Sequence, residues 1–420
     1  MSATKERRAV VIGGGVIGIA SAYYLAKDGW RVTILDRGRS GSACSRGNCG
    51  IIGLGHFLPL NAPGAIAKTL KGMLRPDSPF AIRPRFDPVL WTWLMKFALR
   101  CNHKQMMASA RVRASLLAST EQLYRELFES EPLDCEMRKA GSLFIFRSAK
   151  TFQEYAKTDA LIRENFGVAA DRYDSEALSR FEPALKPGLA GAWHYPEDFH
   201  LRPDLLVQSW RRVNDTLGIE VREHCDVLRL EADPYDSGRA TRVVTNREEI
   251  TADCIVVAMG AMAPLMNQQL GCRLPVQPGK GYSITQSRPT LCPKMPLFFM
   301  EHKVVATPFD SGYRLGSTME FAGYDPKFSP KRLALLEDAA KLYLHQPDGD
   351  QTQEMWYGWR SMTYDGIPYI DKSPRFENVL VATGHNMIGL TLAPVTGKLI
   401  AELAGNRKPH IDLFPLRIGR

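Results

Sequence analysis

The sequence contains no Cys-x-x-Cys pair although it has 8 cysteines, and their spacing disfavours zinc, iron–sulfur and dithiol redox sites. No apolar run approaches the roughly 18 residues that a membrane-spanning helix needs. The N-terminal residues have a basic start but no signal-peptide core or cleavage site, which predicts a cytoplasmic protein. Because internal repeats and low-complexity linkers are also missing, a second domain is expected to arise by insertion into the first.

The composition is that of a globular protein large enough for two domains. The chain has 420 residues, of which 45% are hydrophobic and 24% are charged. Its net charge of +9 can attract anionic substrates or an anionic membrane surface, but an ordinary basic enzyme is the alternative that the composition favours. No polybasic tract or RNA-binding motif is present, so we expect no nucleic-acid partner. Peripheral association with the cytoplasmic face of the inner membrane stays open at this point.

The N-terminal segment has the pattern of a dinucleotide-binding βαβ unit. Three apolar residues lead into Gly13, Gly15 and Gly18, and an apolar helical pattern follows. In this motif the first glycine permits a tight turn, the second lets a pyrophosphate approach the backbone, and the third allows close helix packing. The next predicted strand ends at Asp36, whose carboxylate is placed to bind ribose hydroxyls. The segment therefore predicts a dinucleotide cofactor.

Hydrophobic periodicity outlines the rest of the chain. The two long helical patterns at 108–131 and 150–166 indicate a helical cap. The alternating segments at 279–286, 304–307 and 313–318 indicate antiparallel strands that surround a pocket. Helices are predicted at 108–131, 150–166, 202–217 and 390–403, and strands at 141–146, 250–260, 279–286, 304–307 and 313–318.

A second strand, glycine turn and helix lie near the C-terminus. In a flavoenzyme, a helix that starts near Gly389 can direct the positive end of its dipole at the flavin ring, where negative charge develops on reduction. The alternative is a glycine-rich turn that only packs the last helix.

Four segments, in this order, resemble the FAD-dependent D-amino-acid oxidase superfamily, most closely the bacterial D-amino-acid dehydrogenases. The resemblance implies an α/β fold in which a Rossmann-like FAD-binding domain, a doubly wound parallel sheet, carries an inserted α+β substrate domain built on a mostly antiparallel sheet. The segments are AVVIGGGVIG with Asp36, SRGNCGIIGLGHFLPLNAPG with AIRPRFDP, GYRLGSTMEF, and GWRSMTYDGIPYI with TGHNMIGLTLAPVTGKLIAEL.

The resemblance also implies domain ranges and partners. The FAD-binding domain is expected at 1–75, 202–270 and 346–420, and the substrate-binding domain at 76–201 and 271–345. The expected substrate is a D-amino acid, with a cyclic imino acid such as D-proline or a D-hydroxyproline among the candidates, and a quinone or another acceptor is expected to take the electrons. An oxygen-using oxidase of glycine, sarcosine or a D-amino acid, and a flavin subunit of a membrane complex, stay open as alternatives. A nicotinamide dehydrogenase is the least favoured alternative, because such an enzyme would not need the C-terminal glycine turn to contact its cofactor.

FAD is the expected cofactor, and neither a metal site nor covalent flavin attachment is indicated. The family's flavin-facing loop falls on Asn48, Cys49 and Gly50, where cysteine replaces a smaller residue. Asp36 stands where glutamate is common. The full set of expected cofactor-binding residues is Gly13, Gly15, Val16, Ile17, Gly18, Asp36, Arg37, Asn48, Cys49, Gly50, Val227, Gly260, Gly384, Gly389, Leu390 and Thr391.

Arg360 is the first candidate for binding the substrate carboxylate, because a planar guanidinium can hold both oxygens of a carboxylate. The family's Gly-x-Arg motif falls on Gly358, Trp359 and Arg360. This chain departs from the family pattern at Trp359 and Ser361, which leaves the substrate's shape open. The alternative for Arg360 is a structural ion pair, for example with Asp365. Arg314, on a predicted pocket strand, is the second candidate, unless it points to solvent.

Hydride transfer from the α-carbon of a neutral amine to flavin needs little acid–base chemistry, so the protein's task is placement. Tyr282, Tyr313 and Tyr369 are candidates to donate a phenol hydrogen bond to the substrate carboxylate, although buried tyrosines usually only pack. His56 and His385 lie in the two loops expected near the flavin, and either can position the amine or tune the flavin. Both also fit a purely structural role.

Overall fold

A computed structural model describes residues 6–67 and 78–420. In these ranges the chain forms two large sheets, a three-stranded sheet, a two-stranded sheet and helices that cover them. The helices are α1 (Val16–Lys27), α2 (Pro88–Arg100), α3 (His103–Ser130), α4 (Ala149–Phe166), α5 (Ser175–Phe181), α6 (Pro203–Thr216), α7 (Asn267–Leu270), α8 (Pro330–Lys341) and α9 (Ala393–Ala404), with 3-10 turns at Gly260–Met266 and Phe414–Leu416.

The strands alternate with these helices along the chain. They are β1 (Arg8–Ile12), β2 (Arg31–Leu35), β3 (Ile51–Ile52), β4 (Phe80–Ile82), β5 (Ser142–Phe146), β6 (Asp171–Asp174), β7 (Gly191–Tyr195), β8 (Phe199–His200), β9 (Glu220–Arg222), β10 (Val227–Ala232), β11 (Ala240–Thr245), β12 (Glu249–Thr251), β13 (Cys254–Val257), β14 (Val276–Gln286), β15 (Leu297–Phe299), β16 (Val304–Phe309), β17 (Gly312–Phe321), β18 (Thr352–Thr363), β19 (Tyr369–Lys372) and β20 (Val379–Thr383).

The first large sheet has the order β19-β20-β13-β1-β2-β9, and only β19 runs antiparallel to its neighbour. Along β1, Ala9 and Val11 face a core with helices α1, α3 and α9, whereas Val10 and Ile12 face a core under the small sheet β10-β11-β12. Both faces of the strand are buried, as expected for a parallel sheet. The predicted α/β class with a Rossmann-like domain is confirmed.

Close packing of α1 on α9 depends on a glycine. A Cβ atom on Gly397 would lie 2.6 Å from the carbonyl oxygen of Ala20, so a larger residue would push the two helices apart. This contact holds the C-terminal helix against the helix that follows the glycine turn of β1.

The second large sheet is mostly antiparallel. Its order is β18-β14-β17-β16-β15-β5-β7-β6, and β4 pairs with β17. Every residue of strand β14, which lies between β18 and β17, is buried. Most strands of this sheet come from the ranges predicted for the substrate domain, and the strands predicted at 279–286, 304–307 and 313–318 lie in it as β14, β16 and β17.

Two parts of the predicted domain ranges lie elsewhere in the structure. Strand β18, which the prediction assigned to the FAD-binding range 346–420, pairs along its length with β14 of the second sheet. Helix α3, which the prediction assigned to the substrate range 76–201, packs Ala110, Leu117 and Tyr124 into the core beneath the parallel sheet. As domains, the predicted ranges remain a prediction.

One predicted strand is two strands. The apolar run 250–260 divides at Ala252 and Asp253, with β12 in the small sheet and β13 in the parallel sheet. The backbone N–H of Ala252 bonds to Thr241, and that of Asp253 bonds to Arg8, so the two residues connect different sheets. Periodicity missed this break because both strands are apolar.

Candidate active site

A cavity of about 1890 Å³ lies between the two large sheets. It begins at the glycine turn after β1, where the carboxyl ends of the parallel strands meet, and this edge is where doubly wound sheets bind ligands. It passes the Asn48 loop and reaches Arg360 and Phe298 on the second sheet. The cavity exceeds the 300–1,000 Å³ typical of drug-sized ligands, so it has room for a dinucleotide and a substrate.

The three glycines of the first turn have different neighbours. Gly13 has φ +109°, and a Cβ atom on it would lie 2.5 Å from the carbonyl oxygen of Ala258. A Cβ atom on Gly18 would lie 1.8 Å from the carbonyl oxygen of Gly13. On Gly15 the nearest atom would be the Ser45 Oγ at 3.5 Å, and this residue lines the cavity. Gly13 and Gly18 are therefore needed by the fold, whereas Gly15 leaves space for a ligand.

Asp36 lies at the end of β2 and lines the cavity next to Arg37. Its Oδ2 accepts a hydrogen bond from the Gly14 N–H at 2.8 Å, and its Oδ1 accepts one from the Gly38 N–H at 2.8 Å. These bonds fix the carboxylate at the turn while each oxygen keeps a second lone pair for a ligand. Ribose binding by Asp36 remains a prediction.

Arg314 lies outside the cavity lining, which corrects its predicted place in the substrate site. Its side chain is fully buried, and Nη1 donates to the carbonyl oxygens of Arg46 at 2.8 Å and Asn48 at 2.7 Å. Its Nε donates to the Thr285 hydroxyl at 2.8 Å. The guanidinium supports the Asn48 loop from behind, so it is not placed to bind a substrate carboxylate.

The Asn48 loop carries two thiols that face the cavity, Cys44 and Cys49. A Cβ atom on Gly316 would lie 2.6 Å from the Cys49 Sγ, so the loop approaches the second sheet where that sheet has no side chain. Burial raises the pKa of both thiols, although the charge of Arg360 opposes the shift. Both thiols are therefore protonated at neutral pH.

The C-terminal turn also lies at the cavity. Gly389, Leu390 and Thr391 line it, but helix α9 begins at Ala393, three residues later than predicted. His385 is buried beside this turn and its Nε2 lies 3.0 Å from the Thr396 hydroxyl. Burial lowers the pKa of His385 to about 3, so the imidazole is neutral at physiological pH.

Arg360 lies at the cavity on β18. Its side chain crosses Gly281, where a Cβ atom would meet Nη1 at 2.1 Å, and Nη1 donates to the carbonyl oxygen of Thr318 at 2.7 Å. The alternative ion pair with Asp365 is wrong, because Asp365 pairs with Arg420 at 2.9 Å. No carboxylate of the described residues forms an ion pair with Arg360. Its charge is therefore available to an anionic ligand.

The three candidate tyrosines do not line the cavity. Tyr282, Tyr313 and Tyr369 are at most 1% exposed and belong to the cores of the two sheets. The Tyr282 hydroxyl donates to Glu320 Oε2 at 3.1 Å. The expectation that Tyr282 contacts substrate is therefore wrong, because strand β14 is buried on both faces and its phenol already has a partner.

His56 does line the cavity, and a buried carboxylate holds its ring. The His56 Nε2 lies 3.0 Å from Asp198 Oδ2, which also accepts from the Ser142 hydroxyl at 2.6 Å. Asp198 Oδ1 accepts the Leu54 N–H at 2.9 Å. Asp198 follows a Pro-Glu pair in a turn, a pattern that gives no signal of this role from sequence.

Arg113, on α3, is a further charged residue of the lining that sequence reasoning missed. It is 7% exposed, and its guanidinium donates to the carbonyl oxygens of His56 at 2.7 Å and Leu58 at 3.1 Å. Burial lowers the pKa of Arg113 to about 10. The arginine fixes the loop that presents His56 to the cavity.

Most of the predicted cofactor residues meet at this cavity. Three do not line it: Gly18 packs on the glycine turn, Gly50 lies against the carbonyl oxygen of Leu201, and Gly384 lies against Thr363. These three glycines allow close packing of neighbouring chain segments and do not contact the cavity. The residues that line the cavity are Gly13, Gly15, Val16, Ile17, Asp36, Arg37, Asn48, Cys49, Val227, Gly260, Gly389, Leu390 and Thr391.

These residues fit a flavin dinucleotide. The glycine turn is open at Gly15, helix α1 starts there without an acidic side chain in its first turn, and the lining continues to Val227 on one side and to the Asn48 loop on the other. A helix N-terminus of this kind binds phosphate. FAD bound here supplies an acceptor for a hydride.

The family model for FAD-dependent oxidoreductases matches residues 8–403. This chain belongs to that family. The expected cofactor FAD and the expected family resemblance are both confirmed. A D-amino acid dehydrogenase of Methylobacterium nodulans is 32% identical over 412 residues, which are 96% of this chain and 96% of that protein.

Solved structures share the fold over the whole chain. Glycine oxidase from Geobacillus kaustophilus superposes with a TM-score of 0.76 at 22% identity, covering 99% of each chain. Iminodiacetate oxidase from Chelativorans sp. BNC1 gives a TM-score of 0.72 at 20% identity, covering 98% of this chain and 99% of that one. At such identities the similarity establishes the architecture only.

The described residues contain no helix long and apolar enough to cross a membrane. In the same ranges, no group of three or more His, Cys, Asp or Glu side chains is arranged to hold a metal ion.

Replacing Gly15 by valine tests the FAD site. Since the nearest protein atom to a new Cβ is 3.5 Å away, we expect Gly15→Val to fold normally but to block approach of the pyrophosphate. The absorbance spectrum of the purified protein gives flavin content, and thermal unfolding of both apoproteins gives stability. A Gly15→Val protein with full flavin content would contradict this assignment.

Replacing His385 tests whether the imidazole is buried and neutral. Its pKa is about 3 in the folded protein and 6.5 in the unfolded chain. Between these two pH values, unfolding is therefore accompanied by uptake of a proton on the imidazole. The stability due to the neutral ring is complete above pH 6.5 and is lost towards pH 3. Between pH 7 and pH 5, the unfolding free energy of the wild-type apoprotein should fall by about 2 kcal/mol more than that of His385→Asn. Urea unfolding at both pH values measures this, and equal losses would refute it.

Proposed function

We propose that this protein is an FAD-dependent dehydrogenase that deaminates D-amino acids oxidatively. The observation that carries the proposal is Arg360, a guanidinium at the cavity that forms no ion pair with a described carboxylate. The similarity to a D-amino acid dehydrogenase over 96% of both chains supports the substrate class. We propose a dehydrogenase rather than an oxidase because that similar protein is a dehydrogenase.

The residues of the site bind and orient the substrate. Arg360 takes the two oxygens of the α-carboxylate in its planar fork, which fixes the direction of the Cα–H bond. FAD held at the glycine turn would supply the hydride acceptor. A neutral amine that loses the Cα hydride becomes a protonated imine, which water hydrolyses to ammonium and a 2-oxo acid. His385 is neutral because of its burial, so it adds no charge at the C-terminal turn.

The choice among D-amino acids is a finer part of the proposal. D-proline and D-hydroxyproline are candidate substrates, since a cyclic secondary amine can lose a Cα hydride in the same way. An oxidase of glycine, sarcosine or a D-amino acid differs only in using oxygen as acceptor. Readmitting air to substrate-reduced enzyme separates the two, because only an oxidase recovers its oxidised flavin spectrum within its turnover time.

Replacing Arg360 tests the proposal. With Arg360→Met we expect kcat/KM for D-amino acids to fall by about 100-fold or more, because a buried charge-assisted carboxylate contact is lost. Flavin content should remain at the wild-type level. Dye reduction with a panel of D-amino acids provides the rates.

The matched control is Arg229→Met, which removes an exposed arginine of β10 that pairs with Glu231. This variant should keep wild-type kinetics. If Arg360→Met also keeps its kcat/KM, the carboxylate site lies elsewhere and the proposal loses its main support.

We further propose that the enzyme docks on an anionic membrane to reach a quinone acceptor. Helix α2 exposes an apolar stripe formed by Trp91 (56%), Met95 (59%) and Leu99 (69%), although its opposite face is already buried. Residues 83–104 contain five Lys or Arg and one acidic residue. Trp91 and Met95 also line the cavity, which supports entry of an apolar acceptor from this side.

Vesicle binding tests the docking face. The triple change Trp91→Ser, Met95→Ser and Leu99→Ser should weaken binding to anionic phospholipid vesicles more than about tenfold, because each buried apolar side chain contributes about 1.5–3 kcal/mol. Phe414→Ser, which removes another exposed apolar side chain, is the control. If the wild-type protein binds neither anionic nor zwitterionic vesicles, the docking proposal fails while the dehydrogenase proposal stands.

A further inference from the structure

We infer that the far end of the cavity is a side-chain subsite that selects aromatic D-amino acids. The inference rests on the proposed function and adds a substrate class to it. The subsite is an aromatic wall, which we define as His56, Phe144, Tyr155, Tyr195 and Phe298. All five residues line the cavity.

The sheet register places the wall on the same face as Arg360. Cross-strand partners form one continuous row: Trp356, Ser283, Gly316, Val305, Phe298, Phe144 and Trp193. Cross-strand partners share a face, as do alternate residues along a strand. Arg360 lies four residues beyond Trp356 on β18, and Tyr195 lies two beyond Trp193 on β7, so both belong to this face.

The profile of that row divides the cavity into two parts. At Ser283 and Gly316 the side chains are small or absent, and the Cys49 Sγ fills the space above Gly316. At Val305, Phe298 and Phe144 the face carries large side chains. The Asn48 loop therefore contacts the sheet at its small residues. The aromatic wall lies farther along the same row of side chains.

The rings of the wall pack at the centroid distances typical of aromatic pairs. The centroids of Phe144 and Phe298 are 4.6 Å apart, and His56 meets each of them edge to face at 5.4 Å. Phe144 and Tyr195 are 5.1 Å apart. Phe144, Phe298 and His56 are only half-buried although they pack together, so each keeps a surface for another ring.

Hydrogen bonds hold the wall rigid. His56 Nε2 is held by Asp198 at 3.0 Å, and the hydroxyls of Tyr155 and Tyr195 are bonded to each other at 2.7 Å. Burial raises the pKa of Tyr195 to about 12, which keeps that phenol neutral. A preformed surface of this kind loses little freedom when a ligand ring packs on it.

The separation of the wall from Arg360 suits a long side chain. The Arg360 guanidinium bonds to carbonyl oxygens of β17, and Phe298 lies on β15, two strands away. Two strand spacings are about 10 Å. A substrate whose carboxylate lies on Arg360 reaches the wall only with a long or ring-bearing side chain, so glycine and D-alanine leave the wall empty.

The charges around the wall disfavour a cationic side chain. The Asp198 carboxylate is 1% exposed and already accepts bonds from His56, Ser142 and the Leu54 N–H. It therefore has little capacity left for a substrate ammonium. The nearby charge of Arg113 is directed at the carbonyl oxygens of the His56 loop, and it opposes a cationic side chain. An uncharged aromatic ring therefore fits this environment better than a cationic side chain.

The first test uses the wild-type holoenzyme and a panel of D-phenylalanine, D-alanine, D-proline and D-lysine with a dye acceptor. We expect kcat/KM to be about 10–100-fold higher for D-phenylalanine than for D-alanine, the gain from burying one ring. A higher kcat/KM for D-alanine, D-proline or D-lysine than for D-phenylalanine would overturn the inference while leaving the proposed function intact.

The second test changes the wall. Phe298→Ala should lower the ratio of kcat/KM for D-phenylalanine to that for D-alanine by about 10-fold or more. The control is Phe328→Ala. Phe328 is a partly exposed ring that follows β17 and lies outside the cavity lining, so this variant should keep the wild-type ratio. An unchanged ratio in Phe298→Ala would contradict the subsite.

Unreactive acids provide a measurement that needs no turnover. Binding of 3-phenylpropionate and of propionate is followed by the change in the flavin absorption spectrum. The subsite predicts that 3-phenylpropionate binds more tightly to the wild type and loses this advantage in Phe298→Ala. Equal affinity of the two acids for the wild type would overturn the inference. If the acids behave as expected and no D-amino acid is oxidised, the subsite stands and the proposed reaction fails.

Discussion

The buried guanidinium of Arg314 connects the two sheets, and the geometry of the site depends on it. From β17 it bonds to the carbonyl oxygens of Arg46 and Asn48, so a loop that follows the parallel sheet is tied to the antiparallel one. Asp204 and Glu354 each lie 3.8 Å from it. A buried charge without such partners would cost several kcal/mol, so this contact strongly favours one position of the Asn48 loop. The cavity between the sheets follows from that position.

With the loop held there, the two ends of the cavity serve different purposes. The glycine turn leaves space only at Gly15, whereas Gly13 and Gly18 are packed against backbone. On the opposite side, Arg360 reaches across Gly281 and keeps its charge free of described carboxylates. The glycine turn and the Arg360 guanidinium thus line one cavity, an arrangement that supports the proposed oxidation at the α-carbon of an amino acid.

Features set by neighbours in the chain could be predicted from the sequence. The glycine turn, Asp36 and the position of Arg360 at a cavity depend on short segments with strong local patterns. Features set by packing between distant segments could not. The role of Asp198 depends on a loop far from it in the chain, and Phe144 meets Phe298 only through the pairing of β5 with β15. Tyr282 and Arg314 were misplaced because strand alternation does not tell which face of a fully buried strand meets the cavity.

An anaerobic titration of the purified flavoprotein with separate pools of D- and L-amino acids tests the central claim most directly. If the protein oxidises D-amino acids as its similarity to a D-amino acid dehydrogenase supports, the D-pool should bleach the oxidised-flavin spectrum and the L-pool should leave it unchanged. Bleaching by the L-pool alone would contradict the predicted stereochemistry. A yellow protein that neither pool reduces would retain the FAD fold and rule out amino-acid oxidation at this site.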